Sequence, residues 1–408
     1  MTWAWNISSF AEAPLEIIDG DRGTNYPQHT DFADEGFCVF LNAGNVSKSG
    51  FDVSKIQFID QAKDDQLRNG KLKRNDVVMT TRGTIGNVAH YALNTPFENL
   101  RINSGMVIFR CDPVELLPHY LYHFLRTPHF HEQTNSLRSG VAQPQLPIRD
   151  IRRIELPLPP LEVLMRIAEY ISSYDELIEN NRRRMALLEE SARLLYREWF
   201  VRLRFLGHEH ARLTHGLPEG WEKKRVDAIA EVNRATLPSG YDGEIQYVDI
   251  ASVVPGEITE RTTLAFQDAP SRARRIVQHG DIIWSCVRPN RRSQAVIWNP
   301  PDNLIVSTGF AVITPTGAPP TFLYFATTTD AFVGYLENHA RGAAYPAVGA
   351  ADFERAEILV PPTRLLELFD EVAEPTFSQM HNLRQQNEKL RAARDMLLPR
   401  LMTGQIEV

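Results

Sequence analysis

At 408 residues the chain is too long for one ordinary hydrophobic core and reads as two or three domains. A 43% apolar and 23% charged composition is that of a globular protein, and no stretch approaches the ~20 apolar residues of a membrane span. The formal charge of −7, divided as −2 over 1–160, 0 over 161–206, −4 over 207–362 and −1 over 363–408, excludes a generally basic surface, so any DNA contact must be concentrated on one face or shared with a partner.

The start, Met1-Thr2-Trp3-Ala4-Trp5, has no basic residues leading into an apolar run, and the three cysteines, Cys38, Cys111 and Cys286, lie far apart; a cytoplasmic, reducing compartment is expected. The first 160 residues then read as short apolar runs bounded by turn residues. Asn75-Asp76-Val77-Val78-Met79 is a turn feeding a buried strand, and Ser104-Gly105-Met106-Val107-Ile108 reads the same way. Polar residues able to reach phosphates or base edges cluster around these runs: Lys71, Lys73 and Arg74, then Thr80-Thr81-Arg82-Gly83-Thr84, then Arg138 with Gln143 and Gln145. His119 and His123 have helical i, i+4 spacing with His129 and His131 nearby, but no acidic or thiol ligand is arranged with them, so no metal is expected.

After Pro159-Pro160 the pattern becomes helical, as it does where proline opens a helix. Ile167, Ile171, Tyr174, Ile178, Asn181, Met185, Leu188, Ala192, Leu195 and Trp199 follow a strict alternation of four and three, the seam of a coiled coil. A helix from Arg166 to Arg204 would span ~58 Å, longer than a domain is wide, so another long element must cover its stripe.

The second half repeats the first. A shift of 202 carries Gly140-Val141-Ala142-Gln143-Pro144 onto Gly342-Ala343-Ala344-Tyr345-Pro346, and Asp150, Arg153, Glu155, Pro159 and Pro160 onto Asp352, Arg355, Glu357, Pro361 and Pro362. Upstream, Gly280-Asp281-Ile282-Ile283-Trp284 and Thr308-Gly309-Phe310-Ala311-Val312 repeat the two strand entries. The basic clusters recur as Arg272, Arg274 and Arg275, then Arg288-Pro289-Asn290-Arg291-Arg292, then Arg341 with Tyr345; Arg82 and Arg288, each just past a buried strand, rank highest. A second, weaker seam follows at Phe369, Ala373, Thr376, Met380, Leu383, Asn387, Leu390, Arg394, Leu397 and Leu401.

These patterns predict an α+β protein with two domains in tandem repeat, 1–160 and 207–362, separated by long helical segments, 161–206 and 363–408. The helices, matched in length and phase, are expected to pair as an antiparallel coiled coil, which would relate the repeats by an approximate two-fold axis. Asn181 and Asn387 could fix the register, or could lie at a solvated helix end.

Enzymatic signatures are absent. Asn299-Pro300-Pro301-Asp302 lacks the aromatic of the adenine-methyltransferase motif, Glu222-Lys223-Lys224 precedes the Pro301-Asp302 pair in the wrong order for a nuclease, and Gly70-Lys71 lacks the glycine of a phosphate loop.

Taken together, Leu156-Pro157-Leu158-Pro159-Pro160-Leu161-Glu162 with Arg166-Ile167-Ala168, Leu217-Pro218-Glu219-Gly220-Trp221, and Leu397-Leu398-Pro399-Arg400-Leu401-Met402-Thr403-Gly404 resemble the specificity subunits of type I restriction-modification systems over essentially the whole chain. The first half departs from the pattern, opening with Trp3-Ala4-Trp5-Asn6 in place of Leu-Pro-x-Gly-Trp. The resemblance implies two target-recognition domains that each read one half of a bipartite, asymmetric double-stranded DNA site. It also implies spacer helices that dock two methylation subunits and, in a restricting complex, the motor and nuclease subunits. It implies a non-catalytic chain with no cofactor of its own, S-adenosylmethionine belonging to the methylation subunit, and a part in defence against foreign DNA. The competing expectation, favoured by the charge, is a protein-interaction scaffold without DNA binding.

Overall fold

The computed structural model describes residues 5–47, 50–53, 55–138, 144–214 and 216–406. Its contacts define two units, 1–179 with 387–408 and 180–386.

In the first unit the strand expected after Asp76 is Val77–Thr80, one of four antiparallel strands ordered Leu15–Asp19, Met106–Cys111, Val77–Thr80 and Val88–His90. Side chains alternate across a strand, and here both faces are covered. Val77, Met79, Val107 and Phe109 share a core with Phe10, Tyr120, Phe124 and Phe130, whereas Val78, Met106 and Ile108 face Val39, Leu41, Leu100 and Ile102. A sheet buried on both faces has no polar alternation, which explains the continuous apolar runs in the sequence. The second face is closed by a three-stranded sheet in which Cys38–Leu41 runs parallel to Leu100–Ile102 and antiparallel to Phe58–Ile59.

The second unit keeps the same phase. Its sheet is ordered Ala230–Val232, Phe310–Pro315, Ile282–Ser285 and Gln294–Val296. Ile282, Trp284, Ala311 and Ile313 face an aromatic core with Phe322, Phe325 and Phe353, while Ile283, Phe310 and Val312 face Val248, Leu304 and Val306.

An antiparallel strand pair closes each unit, Asn6–Ser9 on Glu155–Leu158 and Glu222–Arg225 on Glu357–Val360. Asn6 is opposite Leu158 and Glu222 is opposite Val360, so the shift of 202 between Leu158 and Val360 equates Asn6 with Glu222 and Trp5 with Trp221. The first half thus keeps the tryptophan of the opening motif and departs from it only in what precedes.

Both proline pairs are followed at once by a long helix, Leu161–Tyr196 and Thr363–Met402, because a helix's first turn needs no N–H donors and tolerates proline at its start. The first ends in a π turn, Arg197–Val201, rather than running on to Arg204. Widening the turn lets the consecutive residues Trp199 and Phe200 both enter the core around Phe369. Within the first unit, Ile167 and Ile171 pack with Leu398 and Leu401, Asp175 meets Arg394, and the Ile178 carbonyl accepts from Asn387 Nδ2 at 3.2 Å. Within the second, Ala192 and Tyr196 share a core with Ala373 and Phe369. Rising numbers meet falling ones in both, so the pairing is antiparallel, as expected. Ile167, Ile171, Ile178, Phe369, Met380 and Leu383 are buried, and Met185, Leu188, Leu195, Leu390 and Leu397 half-buried. Asn181 and Asn387 are buried too, so the solvated alternative is excluded. Among the described residues no helix is long and apolar enough to cross a membrane.

Candidate nucleic-acid interface

In each unit the loop leaving the central strand is stitched to a segment from the unit's far end. The Leu146 N–H donates to Thr81 O at 3.0 Å, and the Val348 N–H to Cys286 O at 2.9 Å. The same loops are anchored from behind, Thr81 N–H to Gly105 O and Cys286 N–H to Gly309 O, both at 2.8 Å. Two of the three polar clusters in each half are thereby brought together: Arg82 with Gln145, and Arg288 with the Arg341–Tyr345 loop. Arg138 is exposed at the end of the helix Pro128–Leu137, and Gln143 lies outside the described residues.

The correspondence between halves is offset by one residue. Arg82 is bridged to Gln145 and Val287 to Ala347, so Arg82 matches Val287, and Arg288 follows one residue later. Arg288 therefore stands where the first unit has Gly83, and the two arginines are not equivalent.

In the first unit the exposed Arg82 lines a recess of about 260 Å³ with Asp19, Arg22, Thr81, Gln145 and Leu146. Arg22, which sequence reasoning missed, pairs with Asp19 at 3.1 Å and donates to Ser104 O at 3.3 Å. Its signal was the polar run Gly20-Asp21-Arg22-Gly23 after a strand. Gly20 is required there, since a Cβ would stand 2.1 Å from the Asn103 carbonyl oxygen. Thr84 is exposed, and its carbonyl accepts from Thr80 Oγ1, which shapes the loop around Arg82.

In the second unit Arg288 adopts a left-handed backbone with φ 52°, a conformation that costs a non-glycine residue ~1–2 kcal/mol. Its N–H donates to Pro346 O at 2.7 Å, its Nη2 donates to Ala344 O at 3.1 Å, and its guanidinium lies 4.6 Å from the Tyr345 ring centroid. Tyr345 is 69% exposed, carried on a loop closed by reciprocal backbone bonds of 2.9 Å between Arg341 and Ala347. Arg291 and Arg341 are exposed.

The remaining basic residues divide differently from their order in the sequence. Lys71 pairs with the buried Asp64, which Arg101 also holds at 2.8 Å. Burial raises the Asp64 carboxyl, but the bonds from Lys71 and Arg101 outweigh it and hold it below its ordinary range. Arg74 donates to the carbonyls of Ala92, Thr95 and Phe97 at 2.9–3.1 Å and lies over Tyr91. These two are engaged within the fold, whereas Lys73 is exposed at the turn. Arg272 donates to the Tyr247 hydroxyl, Arg274 lies over Phe266, Arg275 reaches Thr236, and Arg292 pairs with Asp330.

The acidic total is partly internal. Among the described residues Asp21, Asp64, Asp76, Asp150, Asp281 and Asp352 are buried, against Arg101 and Arg394 of the basic residues. The exposed balance is therefore nearer neutrality than the whole chain's. His119 and His123 sit on the helix Pro118–Phe124, with the His90 ring 4.4 Å from His119. Burial pushes His90 down to about 4 and lowers His119 and His123 as well. Among the described residues no group of His, Cys, Asp and Glu is disposed to hold a metal. Asn299 lies in a loop, its N–H donating to His279 Nδ1 at 3.1 Å.

Residues 15–190 match the type I restriction modification DNA specificity domain. The chain is 24% identical over 352 residues to the type I restriction enzyme MjaIX specificity subunit of Methanocaldococcus jannaschii, covering 82% of this chain and 78% of that one. It is 19% identical to the HindI specificity subunit of Haemophilus influenzae, covering 95% and 98% of the two chains. The crystal structure of the type I restriction-modification S subunit from M. genitalium shares the fold, with a TM-score of 0.54 at 16% identity and coverage of 98% and 96%. With the repeated domain and the paired helices in hand, the chain is similar over most of its length to the DNA specificity subunits of type I restriction-modification systems, and residues 15–190 match their DNA specificity domain.

Proposed function

We propose that this subunit reads a bipartite, asymmetric duplex, one half-site per domain, with Arg22 and Arg82 in the first and Arg288, Arg291 and Arg341 in the second supplying the contacts. The observation that carries this is the repeated junction of two loops, Thr81 with Leu146 and Cys286 with Val348, each bearing exposed arginine and amide or aromatic side chains. Duplicated modules suit a target with two separately read parts, and phosphate contacts set register while a few side chains select bases.

The long helices act as spacer and as the docking surface for methylation subunits, which supply S-adenosylmethionine and the methyl transfer; a restriction subunit joins where cleavage occurs. The chain itself is non-catalytic and positions its partners' active sites. A mobility-shift assay with random and cognate duplex, with and without the methylation subunit, tests this. Retention of the cognate duplex by the complex is expected; no retention in either case would remove the reading. Exchange of residues 1–160 for another member's domain changes one half-site and leaves the other.

A further inference from the structure

Arginine is ordinarily the least fixed of surface side chains, and ordering it on binding is costly. Arg288 is fixed before any ligand arrives. Its backbone is left-handed, its N–H is tied to Pro346, one guanidinium nitrogen is tied to the Ala344 carbonyl, and the guanidinium lies over Tyr345. A strained residue persists only where its surroundings impose the conformation, and such residues gather at ligand-contacting positions. Among the described residues no carboxylate pairs with Arg288, in contrast to Arg292, which meets Asp330. The charge of Arg288 is therefore left to a ligand, and the fork of N–H donors is held in one orientation.

A phosphate contact needs only positive charge, which a mobile side chain supplies; a planar fork held in advance serves a planar pair of acceptors. In the major groove guanine alone offers two acceptors, O6 and N7, on one base edge, and arginine is their usual partner. We infer that Arg288 reads a guanine in the half-site of the second domain, with Tyr345 as the residue that positions its guanidinium. This rests on the proposal that each domain reads one half-site. The one-residue offset places Gly83 opposite Arg288 in the repeat, so the first domain lacks an equivalent finger.

The test uses the subunit assembled with its methylation partner. Genome-wide mapping of methylated adenines is compared for the wild type, Arg288→Ala, Arg288→Lys, Tyr345→Phe and Tyr345→Ala. Both Arg288 variants are expected to relax one G·C position in one half-site and leave the other half-site unchanged. Tyr345→Phe, which keeps the stacking ring, should retain the motif, and Tyr345→Ala should relax that same position. With the wild-type complex, replacing each guanine of the cognate duplex by 7-deazaguanine should weaken binding about tenfold at a single position of that half-site. A uniform loss of modification with the motif intact, relaxation at an A·T pair, or indifference to every 7-deaza substitution would overturn the inference. Failure of the underlying reading looks different: the wild-type complex would then methylate no defined bipartite motif.

Discussion

Arg394, only 7% exposed in the seam of the second long helix, forms an ion pair with Asp175 of the first, within the same unit. Asp175 also stands 3.6 Å from Arg126 and 3.9 Å from His123, so one half-exposed carboxylate faces three basic groups. Removing it with Asp175→Ala leaves a buried guanidinium with Asp395 alone, and the expected cost is about 2 kcal/mol, below the full penalty for a buried pair because Asp175 is partly solvated. Replacing both partners by leucine should recover most of that loss. Urea unfolding of the wild type and these two variants checks it, and an unchanged midpoint for Asp175→Ala would show the pair to be energetically idle.

Arg74 and Arg82 both belong to the basic clusters of the first domain but have opposite consequences in the fold. Arg74→Ala removes three bonds to backbone carbonyls and a ring contact, and should lower stability by about 2–3 kcal/mol. Arg82→Ala alters an exposed side chain and should leave the melting temperature within error while weakening cognate duplex binding. Thermal melts and binding curves on both variants separate the roles; a binding defect in Arg74→Ala without loss of stability would reverse them.

That pair shows how far the sequence could be read. Periodicity exposed the repeat, the strand entries at Val77 and Ile282, and the seams, because each depends on spacing along the chain. The partners of Lys71 and Arg74 depend on chain folding: Asp64 and the carbonyls of Ala92, Thr95 and Phe97 are ordinary residues until the fold delivers them. Arg22 was passed over because it stands alone, and only the recess shared with Arg82 gives it a role. The offset between Arg82 and Arg288 is a matter of register, which a gapped repeat does not fix.

Three histidines of the first unit make its stability depend on pH. His90 is lowered from 6.5 to about 4 by burial and then by His119; His119 is lowered by burial against the opposing pull of Asp175 and Glu176; His123 is lowered by burial, then by Arg126 and Arg394. Each is neutral in the folded state and takes its proton more readily once unfolded. The stability they contribute is therefore fully present above pH ~6.5 and is lost as pH falls through about 4, ahead of the lowered carboxyl of Asp64, which titrates below 3.8. The raised carboxyls of Asp281 and Asp370 act in the opposite direction but belong to the second unit. Hydrogen-exchange protection in the helix Pro118–Phe124, taken relative to the intrinsic exchange rate at each pH, should fall between pH 6.5 and 4, and His90→Phe should reduce that fall. Equal protection across this interval would show that the histidines do not couple to folding.

Arg22 offers a test of phosphate contact as distinct from base reading. It is about half exposed, its ion pair with Asp19 is worth little in water, and it lines the same recess as Arg82. Each phosphate neutralised by a protein cation releases counterions, so the dependence of log affinity on log salt measures how many such contacts form. Arg22→Ala in the assembled complex should weaken cognate and non-cognate duplex alike and reduce the salt slope by about 1. The methylated motif should stay as in the wild type. An unchanged slope would confine Arg22 to its bond with Asp19 and leave Arg82 to work without it.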